Sequence, residues 1–179
     1  MQPPDFSQTY FELFGLDPVF DIDYSRLHAE QQGLQAIYHP DRYVSASERD
    51  KRVSVQVASW VNQAYETLQD PVKRSRYLLE INGADIPDDS TTTSDTAFLM
   101  EQIELREQVE SCRQGEDGLQ RSDRIGAGLA HRANQLAAEF VSHFEASQFD
   151  QAITSSRKMQ FVQRIQQQLS ELQFELEDC

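Results

Sequence analysis

A chain of 179 residues with 16 Lys and Arg against 30 Asp and Glu carries a formal net charge of −14. That balance argues against nucleic-acid binding and against an anchor on an anionic membrane. The length suits one ordinary domain or two small ones. The acidity is uneven: residues 1–82 hold 8 basic and 12 acidic side chains, and residues 83–179 hold 8 and 18. The second part is therefore expected either to face a basic partner surface or to present ordinary solvated acidic helices. Cys112 and Cys179 form no CxxC or Cys/His cluster, so no metal site, cofactor or disulfide framework is expected, and a reducing cytoplasmic setting is the default. No apolar run reaches the length of a membrane span, and the first residues lack the basic start of a secretory signal.

Strand signals are nearly absent and the apolar periods run at helical spacing, so the fold class is all-α. A short helix fits residues 7–14, with Gly15 as its C-terminal glycine. A second fits 24–37, N-capped by Asp23, with Leu27, Leu34 and Tyr38 on one face and a weakening Gly33 inside. A third runs over 48–69, opened by Ser47 with Asp50 in capping-box spacing and striped by Val53, Val57, Trp60 or Val61, Ala64 and Leu68. The second and third bury both stripes as a helical hairpin. Asp70 and Pro71 then start a fourth helix that ends at Asn82-Gly83. Residues 83–94, rich in turn formers, read as a linker. Three long helical patterns follow, at 95–113, about 119–146 and 150–177, separated by Gly115 and Gly118 and by residues 147–150. Short breaks between long helices imply an antiparallel three-helix bundle. Gly126-Ala127-Gly128 lies inside a helical pattern, without the strand-turn-helix setting of a nucleotide loop.

Between the second and third helices stands His39-Pro40-Asp41. Proline fixes its own φ and pushes the preceding residue out of the helical region, so the imidazole and carboxylate should be displayed on a short loop. Taken alone, the tripeptide could equally be a helix C-terminus with a proline stop, where His suits the negative end of the dipole. A second candidate surface comes from the helix at 95–113. At 100° per residue, Phe98, Leu105, Val109 and Cys112 form a core stripe. Leu99, Met100 and Ile103 fall elsewhere, together with Glu104 and Glu107, leaving an apolar patch rimmed by carboxylates. That patch either packs on the first module or binds a partner. His28, His131 and His143 sit in helices without a catalytic or metal-binding constellation, so no enzyme is expected.

The segments YFELFGL at 10–16, YHPDRY at 38–43 and WVNQAYETLQDPVKRSRYLL at 60–79 resemble a J-domain. SDTAFLMEQIELRE at 94–107 and RKMQFVQRI at 157–165 extend the resemblance to the HscB family, the J-type co-chaperones of iron-sulfur cluster assembly. The resemblance implies a J-domain over 1–82 and a scaffold-binding bundle over 95–179. It implies that His39, Pro40, Asp41, Arg42 and Arg26 contact an HscA/DnaK-class ATPase chaperone and stimulate its ATP hydrolysis. It further implies that Leu99, Met100, Ile103, Glu104 and Glu107, with a partly exposed Phe161, bind an IscU-type iron-sulfur scaffold. Two departures stand out. J-domain second helices are usually basic, whereas this one offers only Arg26 and His28, with Ala36 where a base often sits; Arg42, Arg49, Lys51 and Arg52 supply positive charge from beyond it. Ser111 stands where the resemblance implies a further acid. A general J-domain co-chaperone whose bundle holds unfolded clients or dimerises is the alternative, and a helical enzyme or ligand-binding bundle with an incidental tripeptide is a third possibility.

Overall fold

In a computed structural model, residues 4–87, 95–114 and 117–177 are described. Cys179 and most of the expected linker lie outside them. Among the described residues the secondary structure is entirely helical, and the chain divides into two compact units, 1–83 and 84–179.

The first unit holds α1 (Tyr10–Leu13), α2 (Tyr24–Tyr38), a single 3-10 turn (Pro40–Tyr43), α3 (Glu48–Gln69) and α4 (Pro71–Ile81). Helix α1 is shorter than its pattern because a capping box starts it at Thr9: the Thr9 hydroxyl accepts from Glu12 N, and the Glu12 carboxylate accepts from Thr9 N. The bonds that this carboxylate accepts from Thr9 N and from the Thr9 hydroxyl hold it below its ordinary range. Gly15 and Gly83 have φ of +60° and +74°, the left-handed region in which glycine closes helix ends without strain. Asp23, Ser47 and Asp70 cap α2, α3 and α4 through backbone amides of their first turns.

The core of this unit is Phe11, Phe14, Leu27, Val57, Val61, Ala64, Leu68, Leu78 and Leu79. Leu34 and Tyr38, expected beside Leu27, are half-buried, and Gln31 is buried on the same stripe. One buried cation was not foreseen. Arg74 is 2% exposed, donates to the Leu68 carbonyl and to the Tyr24 hydroxyl, and lies over the Phe20 and Tyr24 rings. Its guanidinium thereby satisfies a C-terminal carbonyl of α3 that no helical amide reaches.

The second unit is an antiparallel bundle of α5 (Thr96–Ser111), α6 (Gly118–Glu145) and α7 (Phe149–Glu177). Helices α6 and α7 pack along most of their length, and α5 packs on them more lightly. Gly126-Ala127-Gly128 is regular helix within α6. Gly118 proves to be the first, buried residue of α6, pressed so closely on the Cys112 carbonyl that a Cβ would collide with it. The chain break there is thus a packing requirement as well as a turn. The predicted α5 core stripe is buried at Phe98, Val109 and Cys112, while Leu105 is only half-buried.

Candidate functional site

Two exposed surfaces hold most of the residues singled out by the sequence, Arg26 and Phe161 excepted. The first is the turn after α2. His39 leaves the helix with φ −58° and ψ 127°, the extended conformation that a following proline enforces. Its side chain is 57% exposed and that of Asp41 87%, with His39 Nδ1 3.7 Å from the Asp41 carboxylate. The imidazole also accepts from Asp41 N at 3.3 Å. Two side chains of the 3-10 turn fasten this loop. Arg42 donates to the Ala36 carbonyl, and the Tyr43 hydroxyl donates to the Ile37 carbonyl at 3.1 Å. These are terminal carbonyls of α2 left without helical partners, so the same bonds that cap the helix also fix the turn.

Arg26 does not join this group. It stands in the first turn of α2, thirteen residues or about 20 Å along the axis from His39, with its guanidinium beside Gly15. The hairpin partner of α2 is α3, and polar bridges line their seam: His28 with the Tyr65 hydroxyl at 3.3 Å and Gln35 with Asn62 at 2.9 Å. The roles of Arg42 and Tyr43 as fasteners were missed in the sequence. The signal was present in their position, directly after a helix that proline forbids from continuing.

The second surface is the outer face of α5. Leu99, Met100 and Ile103 are 36%, 53% and 51% exposed, and Glu104 and Glu107 are exposed beside them. Phe161 departs from the expectation of partial exposure: it is 8% exposed. It meets Phe98 edge-on at 5.6 Å between centroids, and the Arg106 guanidinium covers its ring at 5.6 Å. The expectation fails because α5, through Phe98 and Arg106, closes over the ring. Phe161 therefore supports α5 from beneath. Cross-links hold the helix at its margins. Asp95 caps it through Phe98 N and pairs with Lys158 at 2.9 Å, and Glu101 pairs with Arg132 at 3.0 Å. The Lys158 ammonium, and then the backbone amide of Phe98, hold the Asp95 carboxyl below its ordinary value.

Among the described residues no group of three or more His, Cys, Asp or Glu side chains could hold a metal, and no helix is long and apolar enough to cross a membrane. Cys112 is fully buried, its thiol directed at the Gln108 carbonyl.

Comparison with known proteins bears on the chain as a whole. A family model described as the HSCB C-terminal oligomerisation domain matches residues 94–170. The co-chaperone protein HscB homolog of Vibrio vulnificus (strain YJ016) is 37% identical over 160 residues, covering 89% of this chain and 94% of that protein. Among solved structures, the chaperone HscB from Vibrio cholerae superposes with a TM-score of 0.86 at 33% identity, covering 94% of this chain and 99% of its own. The human co-chaperone protein HscB gives 0.87 at 28% identity over 96% of this chain and 85% of its own. The all-helical fold agrees with that likeness, and the chain belongs to the HscB family.

Proposed function

We propose that this protein is an adaptor co-chaperone. Residues 1–82, as a J-domain, engage an HscA/DnaK-class ATPase chaperone through His39, Pro40 and Asp41 and stimulate its ATP hydrolysis. Residues 95–179 hold an IscU-type iron-sulfur scaffold on Leu99, Met100, Ile103, Glu104 and Glu107. Holding both raises the effective concentration of scaffold at the chaperone and promotes cluster transfer. The observation that carries the reading is the coexistence of a fastened polar turn in one unit and an uncovered apolar face with an acidic rim in the other. Three exposed aliphatic side chains on one helix face favour partner binding. A short imidazole and carboxylate on a fixed turn suit a charge-assisted contact that discriminates between two states of the partner. Phe161 contributes by shaping α5. Membership of a co-chaperone family and the scattered positions of His28, His131 and His143 support a role without catalysis of its own.

The test is steady-state ATP hydrolysis by the cognate chaperone, with this protein and the scaffold added singly and together. Synergy between the two is expected. His39→Gln should abolish it, and Leu99→Ala/Met100→Ala should demand about tenfold or more additional protein for the same rate. Stimulation indifferent to the scaffold would instead favour a general J-domain co-chaperone.

A further inference from the structure

The turn after α2 carries more than its polar pair. Ile37 is 52% exposed and Val44 66%, large values for branched aliphatic side chains. Ile37 stands two residues before His39 and Val44 three residues after Asp41. The bond from the Tyr43 hydroxyl to the Ile37 carbonyl draws the two ends of this segment together, and the two aliphatic residues flank His39 and Asp41 in the sequence.

Formal charge within this segment is balanced and offers little net attraction. Residues 24–47 contain two cations, Arg26 and Arg42, and two anions, Glu30 and Asp41. At 100° per residue, Arg26, Glu30, Gly33 and Ile37 share one outward sector of α2, where the single cation and anion offset each other. Arg42 keeps its charge but is held on the Ala36 carbonyl, and Arg26 lies beside Gly15 at the far end of α2. Farther on, Lys51 pairs with Glu48 at 2.8 Å. Arg49 and Arg52 remain as exposed cations, against a whole-chain charge of −14.

We infer that the turn docks by an apolar clasp: Ile37 and Val44 bury against an aliphatic surface of the ATPase chaperone, one on each side of the polar contact made by His39 and Asp41. This inference rests on the adaptor reading above and adds to it the chemistry of the partner surface. Its consequence is a docking step nearly indifferent to ionic strength, since screening weakens charge pairs between exposed groups and leaves apolar burial intact.

The experiment is a titration of the chaperone's ATPase with the full-length protein from about 50 to about 300 mM KCl, across which screening changes strongly. The half-maximal concentration is expected to move by less than about twofold. Ile37→Ser/Val44→Ser should raise it about tenfold or more at every salt concentration, with an unchanged melting temperature because both side chains are largely solvated. Ala36→Lys, which adds a cation next to the turn, should create a salt dependence that the parent lacks. A steep rise of the parent's half-maximal concentration with salt, together with an inert double variant, overturns the clasp. The adaptor reading survives that result if His39→Gln still abolishes stimulation. Absence of any stimulation by the parent overturns both.

Discussion

The turn at His39–Asp41 and the outer face of α5 are both exposed surfaces, yet opposite means build them. The turn is a point of fixed geometry: one proline ends a helix, and Arg42 and Tyr43 tie the next residues to its last carbonyls. The face of α5 is an area, left over because the helix is apolar on two sides and only one can be buried. A point site should fail outright when one group changes. An area site should weaken in proportion to the surface removed.

That contrast can be broken or sharpened by substitution. The largest effect is expected at Phe161→Ala, which removes a buried ring from under α5 and should cost about 3–5 kcal/mol of stability in urea unfolding. Leu99→Ala, on the outer face, should weaken scaffold binding with little loss of stability. Equal stability losses from the two would show that the face is part of the core and would dissolve the distinction. Next comes Tyr43→Phe, which keeps the ring and deletes the hydroxyl that fastens the turn. It should cost about 0.5–1.5 kcal/mol and lower chaperone stimulation at saturating protein.

Gly33→Ala works in the other direction. A Cβ there would meet no atom within 4 Å, so α2 should gain about 0.5–1 kcal/mol, measurable as a higher urea midpoint with ATPase stimulation retained. The smallest effect belongs to Asp95→Asn, which keeps a capping side chain and loses the charge facing Lys158. Because the folded-state carboxyl lies below its ordinary value of 3.8, its contribution is present above that pH and lost as pH falls through the lowered value. The melting temperature of the variant should therefore sit slightly under the parent's at neutral pH, approach it as pH falls below 3.8, and converge with it only below the lowered folded-state value.

How much of this was legible in the sequence follows the same division. Helices α2, α3 and α4 could be bounded closely because Asp23, Ser47 and Asp70 are caps with local bonding rules, and Gly15 and Gly83 are stops with a local cause. The exposed patch of α5 could be read because helical angle alone separates Leu99, Met100 and Ile103 from Phe98, Val109 and Cys112. What escaped depends on contacts between elements. Whether Phe161 is covered is decided by Arg106 and Phe98 on another helix, and whether Gly118 tolerates a side chain is decided by the Cys112 carbonyl. Arg74 belongs with them, since its burial is decided by the Phe20 and Tyr24 rings and the Leu68 carbonyl, all outside its own helix. The aliphatic pair Ile37 and Val44 was passed over beside the more conspicuous tripeptide.

The lighter packing of α5 against the α6–α7 hairpin carries a further consequence. Backbone amides of α6 and α7 should exchange with deuterated solvent only through global opening, whereas those of α5 can exchange through a local detachment that leaves the hairpin intact. A scaffold bound on the outer face would have to hold α5 down to keep its own contacts, so its arrival should slow exchange along the whole of α5, including amides it never touches.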